Sequence, residues 1–286
     1  MLRRRVVLAA VLAAVGFAGL GSHAPAAAKR KATNGPDVRS SAVLVLDESN
    51  ASVVFARNQD DVTPIASITK LMTALVVLDG KQSLDERVEL VKDDSRKGKG
   101  WYSRLPFGAK LTRRDLLHLA LMSSENRAAH ALGRSYPGGL RAFVRTMNLK
   151  ARALGMTNTK FVDPSGLSSD NVSTARDLAK LIAAAGRNER IRDWSTSREH
   201  TVRVGKRLLG FHNTNSLVSN PMWDVAVQKT GYISEAGHCL VMQAKVEDRK
   251  VTFVLLNSVG KYTRVADAKR IRTWMESRAA KATAAD

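Results

Sequence analysis

The spacing of apolar and polar positions changes period twice along this chain. Residues 42–46 and 52–56 are short apolar runs separated by the polar turn Asp47, Glu48, Ser49, Asn50, which predicts a β-hairpin. After a break at Thr63-Pro64 the period becomes helical. Leu71, Ala74, Leu75 and Leu78 share one face, and Gly80 stops the run. Thr112 and Asp115 form a capping pair ahead of a second apolar helix over 116–122. It ends at a polar knot, Ser123, Ser124, Glu125 and Asn126, before helical character resumes at Ala128. Further amphipathic helices are predicted over 138–154 and, capped by Thr174 and Asp177, up to Gly186. From Val225 the period is that of strands: 225–231, 239–245 and 251–256, with Glu247, Asp248 and Arg249 as the turn between the last two. Residues 263–278 close the pattern as a helix with Val265, Ala268, Ile271 and Met275 on one face.

Strands therefore lie at both ends of the sequence and helices in its middle. This predicts an α/β chain of the α+β kind: a mostly antiparallel sheet built from both termini, covered by the terminal helix, with a helical region inserted. The expected divisions are a signal peptide over 1–28, a disordered basic lead-in over 29–39, one domain over 40–278 and a disordered tail over 279–286. The signal reading rests on Arg3, Arg4 and Arg5, the uncharged apolar run 6–20, and the small residues Ala24, Ala26 and Ala28 at candidate cleavage sites. It implies export.

Composition adds charge to this picture. Against 26 acidic residues stand 46 lysines and arginines, a formal +20. Such a field favours polyanions and allows peripheral association with membrane or wall, while export argues against nucleic acid. The single cysteine, Cys239, excludes an intramolecular disulfide and sits in a strand-like run as a buried thiol. Six scattered histidines show no metal-ligand spacing, so neither metal nor cofactor is expected. His212-Asn213 reads as surface.

The candidate chemistry begins at Ser67 and Lys70. Residues i and i+3 share a helix face, so the hydroxyl and the amine can meet, and a neutral lysine can take the serine proton. Ser-x-x-Lys alone is weak evidence, arising by chance roughly once in a chain of this length; Ser258 and Lys261 form a second copy. A buried polar knot at 123–126 needs partners or a function. Lys229-Thr230-Gly231 is rarer, at about 0.1 per such chain.

Ser67-x-x-Lys70, Ser124-Glu125-Asn126 and Lys229-Thr230-Gly231, in that order, resemble the active-site motifs of penicillin-binding proteins and serine β-lactamases. The runs 65–73, 121–129 and 163–167 (Asp-Pro-Ser-Gly-Leu) are similar to the D-alanyl-D-alanine carboxypeptidases and endopeptidases among low-molecular-mass penicillin-binding proteins, and the likeness covers roughly 40–276. Ser169-Asp170-Asn171 also matches the middle motif literally, but lies too far from Ser67 and reads as a loop. The resemblance implies a transpeptidase-like fold and an acyl-enzyme mechanism on peptidoglycan stem peptides, with β-lactams as covalent inhibitors. It implies Ser67 as nucleophile, Lys70 as base, Ser124 as proton relay, and Asn126, Lys229 and Thr230 as substrate contacts. Gly231 lets substrate approach the strand, and the backbone N–H groups of Ser67 and Tyr232 form the oxyanion hole. Burial and the positive Lys229 are expected to lower the pKa of Lys70.

Glu125 at the centre of the middle motif resembles the endopeptidase branch. The 55 residues after Gly231 also leave no length for the extra β-domain of many carboxypeptidases. The expectation is an exported, periplasmic D,D-endopeptidase. Its alternatives are a carboxypeptidase, a β-lactamase (for which no Glu-x-x-x-Asn lies between Asn126 and Lys229) and a non-catalytic wall-binding protein.

Overall fold

The computed structural model describes residues 35–95 and 102–283, the last three in backbone only. The expected signal peptide lies outside the described residues. The strands are β1 (Ser40–Asp47), β2 (Ser52–Arg57), β3 (Thr63–Pro64), β4 (Arg87–Glu89), β5 (Lys110–Thr112), β6 (Val172–Ser173), β7 (Glu199–Val204), β8 (Arg207–His212), β9 (Asp224–Ile233), β10 (Gly237–Val246) and β11 (Arg249–Ser258). The helices are α1 (Thr69–Asp79), α2 (Arg113–Met122), α3 (Asn126–Arg134), α4 (Gly139–Ala153), α5 (Ala175–Gly186), α6 (Glu189–Thr196) and α7 (Thr263–Thr283).

The main sheet has the order β2-β1-β11-β10-β9 and is antiparallel throughout, so both chain ends meet at its centre. Its inner strands are covered on both faces, which is why they read as nearly unbroken apolar runs. Leu44, Val241 and Val254 face the helical layer of α1–α6. Val43, Met242 and Phe253 face Ala268, Ile271 and Met275 of α7. The face expected for the terminal helix is the one it buries. Cys239 lies within the helix-side core, and burial pushes its thiol up to about 11.

Two expected boundaries move. Residues 35–39 are ordered: Val38 is buried in the α7-side core and its carbonyl accepts from Arg57. The backbone N–H groups of Arg39 and Ser40 donate to the Asp267 carboxylate at 2.7–3.1 Å. An apolar side chain and a buried acceptor outweigh the basic, Gly-Pro character that suggested disorder. At the other end α7 runs to Thr283 rather than stopping at 278. The segment Arg278-Ala279-Ala280-Lys281-Ala282 consists of good helix formers with no stop signal. The hairpin β7–β8 and the helix α6 are structure that the sequence pattern did not announce. Before β5, Asp94 is fully buried and pairs with Arg134 at 2.7 Å.

Candidate active site

Ser67 sits in a short 3-10 turn, Ala66–Ile68, that feeds α1. The residue before it, Ala66, has a left-handed φ of 47°, so the chain bends sharply into the nucleophile position. Lys70 follows one turn later and is fully buried. Its Nζ donates to Ser67 Oγ at 2.7 Å, to Asn126 Oδ1 at 2.7 Å and to the Ser165 carbonyl at 2.5 Å. Burial lowers its pKa to about 7, against the pull of the Asp163 and Glu125 carboxylates. A neutral amine keeps two N–H groups and one lone pair. Asn126 and Ser165 can take the two N–H groups, which leaves the lone pair for the Ser67 proton.

The carbonyl of Ser165 is held in place by a loop that the sequence marked only as a turn. Asp163 accepts from the N–H groups of Ser165, Gly166 and Ser168 and from the Ser165 hydroxyl, all at 2.6–2.9 Å. Asn171 is fully buried, accepts from the N–H groups of Val162 and Asp163, and donates to Thr69 Oγ1 and the Asp163 carbonyl. The literal Ser-Asp-Asn copy is thus not the active-site motif, yet its asparagine is the peg of the loop that supports Lys70. Gly166 has φ +81°, and a Cβ there would lie 1.9 Å from the Ala66 carbonyl oxygen. The loop therefore lies directly against the nucleophile turn.

Ser124 lines the cavity with a left-handed φ of 61°. Among the described residues its hydroxyl makes no hydrogen bond to either lysine, so the expected relay contact is not formed in this arrangement. Asn126 at the start of α3 reaches Lys70 instead. Glu125 is buried and is not among the residues that line the cavity. It caps α3 by accepting from Ala128 N at 2.7 Å, and burial raises its pKa.

Lys229 is fully buried on β9 and donates to its neighbour's carbonyl at Thr230, 2.9 Å away. Burial pushes its pKa well down, aided by Lys70 and Arg264. Repulsion between the two buried ammonium groups is mutual and favours the neutral form of each. Thr230 Oγ1 lies 2.6 Å from Thr214 Oγ1. Gly231 lines the cavity and also packs against the turn that carries Ser67. A Cβ there would lie 3.0 Å from the Ile65 carbonyl and 3.1 Å from Ser67 N, so its bareness lets β9 close on the nucleophile turn. Tyr232 follows, exposed, with its ring stacked on His238 at 4.2 Å.

A cavity of about 450 Å³ joins these groups. The helical layer supplies Ser67, Ser124 and Asn126, and the sheet side supplies Thr230 and Tyr232. Thr214 and Arg264 also line it. Sequence reasoning missed both. Thr214 follows the His212-Asn213 pair read as surface; His212 is exposed, but Asn213 is half-buried and clamps Ser195, Ser197 and Gln228. The guanidinium of Arg264 is largely buried, and its Nε has no hydrogen-bond partner among the described residues. A basic residue in the first turn of the terminal helix was the one available signal.

Comparison with known proteins fits this geometry. A profile of the D-alanyl-D-alanine carboxypeptidase family matches residues 29–260. The chain is 50% identical to a D-alanyl-D-alanine endopeptidase of Pseudomonas aeruginosa over 84% of its length and 78% of that protein's. It is 46% identical to one of Escherichia coli, over 85% and 79%. The Streptomyces K15 DD-transpeptidase superposes with a TM-score of 0.77 at 27% identity, covering 85% of this chain and 98% of the other. The fold is thus that of the penicillin-binding proteins, and the chain belongs to the D-alanyl-D-alanine carboxypeptidase family of serine D,D-peptidases.

Proposed function

We propose that this serine D,D-peptidase is an exported, periplasmic endopeptidase that cuts peptidoglycan crosslinks after D-alanine, with Ser67 as nucleophile and Lys70 as its base. The observation that carries this is the 2.7 Å contact between Ser67 Oγ and a buried amine poised near neutrality. Ser67 Oγ attacks the D-alanine carbonyl carbon while its proton passes to Lys70. The oxyanion takes hydrogen bonds from the backbone N–H groups of Ser67 and Tyr232. The close approach of Gly231 to Ser67 N supports that pairing, and losing one such donor costs on the order of 10²–10³ in rate. The proton moves through the Ser124 hydroxyl to the leaving nitrogen, and the C–N bond breaks. Water then cleaves the ester, releasing the D-alanyl carboxylate and restoring Ser67.

Asn126 holds the substrate amide, and Thr230 hydrogen-bonds the carboxylate next to the scissile bond. With Lys229 depressed and turned to a carbonyl, the buried Arg264 is the cation that faces that carboxylate. The net positive charge favours peripheral contact with wall or membrane. A D-alanyl-D-alanine carboxypeptidase would use the same residues.

Incubating the purified protein with a crosslinked muropeptide dimer and a monomeric pentapeptide separates these. Dimer falling to monomers is expected; loss of one terminal alanine from the pentapeptide alone would move the reading to carboxypeptidase. Ser67→Ala should abolish labelling by a fluorescent penicillin, and persistent labelling would remove Ser67 from its role.

A further inference from the structure

The sheet-side wall of the cavity carries more positive and apolar surface than one terminal residue requires. Lys261 lines the cavity beside Arg264, from the turn between β11 and α7. Its neighbours Val259 and Tyr262 are 82% and 72% exposed, and Tyr232 on the same wall is 57% exposed. The turn is built, not loose. Gly260 takes φ +89°, the Thr263 hydroxyl donates to the Val259 carbonyl, and Val265 N donates to the Tyr262 carbonyl at 3.1 Å. Among the described residues the Lys261 ammonium has no ion pair, and it lies 5.5 Å from the centroid of the Tyr262 ring.

Charge and size distinguish the two substrates on this side. A terminal D-alanine brings one carboxylate and a methyl group. The amine side of a crosslink brings one carboxylate at the D-centre, then an alkyl chain leading into a second stem peptide with carboxylates of its own. Arg264, buried, answers the first carboxylate. An alkyl chain leaving the cavity needs an apolar face, and the Tyr232 ring offers one, held flat by its stack on His238. Anionic groups further out meet the exposed ammonium. A cation at the rim of a site adds modest affinity and selects partners by charge.

We propose that Lys261, flanked by Tyr262 and Tyr232, forms an outer subsite that binds the second stem peptide of a crosslink through a carboxylate beyond the one next to the scissile bond. This rests on the endopeptidase reading and names the part of the surface that separates a crosslink from a terminal D-alanine.

The test compares wild-type, Lys261→Ala, Lys261→Arg and Tyr262→Ala proteins on a crosslinked dimer, with acylation by benzylpenicillin in parallel. Penicillin carries no second stem, so its acylation rate reports folding and the Ser67 site alone. Lys261→Ala should raise KM for the dimer about two- to fivefold, the scale of one partly exposed charged contact, with kcat and penicillin acylation unchanged within about 1.5-fold. Tyr262→Ala should raise KM in the same sense and Lys261→Arg should retain affinity. The wild-type advantage should shrink as salt rises. A wild-type protein that cuts the dimer while Lys261→Ala keeps the same KM would overturn the subsite alone. An equal loss in dimer cleavage and penicillin acylation would also overturn it. A wild-type protein that is acylated by penicillin but leaves the dimer intact would overturn the endopeptidase reading and the subsite with it.

Discussion

At the scale of the residue, the proposed chemistry turns on Lys70. Its amine must be neutral to accept the Ser67 proton, and its pKa near 7 places that change within reach of ordinary buffers. The rate of penicillin acylation should therefore rise with pH along an acid limb centred near that value. Glu125 offers a check on the cause. Its carboxylate raises the Lys70 pKa, so the isosteric Glu125→Gln removes a negative charge while keeping an oxygen to cap Ala128 N. Lys70 then loses its proton more easily, and the acid limb should move to lower pH. A limb that stays in place would show that Glu125 acts only as a cap. Sequence reasoning found the Ser67–Lys70 pair because i to i+3 contact is local geometry. It placed Glu125 in the motif but not in the core, because burial depends on what packs above it.

Element by element, the site is an agreement among three segments: the 3-10 turn before α1, the 163–167 loop, and β9. Two glycines set how closely they meet. Gly166→Ala would put a Cβ 1.9 Å from the backbone oxygen of Ala66, at a φ that side chains avoid, so the loop must retreat. The Ser165 carbonyl would retreat with it and Lys70 would lose a partner. Displacements of this size in a catalytic constellation cost about 10²-fold. Stopped-flow acylation should show that loss, and a rate within threefold of wild type would mean the loop is dispensable. The helices themselves were readable: the Thr112 and Thr174 caps accept from Asp115 N and Asp177 N as their spacing suggested. The hairpin β7–β8 was not, because its few apolar residues, Val202, Val204, Leu209 and Phe211 packing inward and Leu208 exposed, are interrupted by charged and polar positions and by Gly210.

In the whole molecule, the two ends of the domain are sewn together at one buried carboxylate. Asp267 of α7 accepts from Arg39 N, Ser40 N and the Ser40 hydroxyl, and pairs with Arg270. It anchors β1, the strand beside β11 on which the sheet is centred. Asp267→Asn would turn an amide towards these donors. Replacing charge-assisted hydrogen bonds of this kind costs about 2–4 kcal/mol, or roughly 5–15 °C in Tm for a chain of this size. Calorimetry should find that drop with penicillin acylation at 25 °C largely retained; an unchanged Tm would mean the anchor contributes nothing.

The sequence by itself determined the order of the three motifs, the meeting of Ser67 with Lys70, the antiparallel sheet built from both ends, and the terminal helix that covers it. Each of these is written in local spacing or in the period of apolar positions, which a chain carries before it folds. Tertiary structure decided the rest: that Asn171 pegs the loop behind Lys70, that Thr214 meets Thr230, that Gly231 serves the nucleophile turn, and that Arg264 turns its guanidinium into the cavity. These contacts join residues that are close only after the sheet and the helical layer have packed. Ser165 lies 95 positions from the lysine that it supports. No periodicity links such positions, because what brings them together is the packing of whole elements and not the spacing of residues within one.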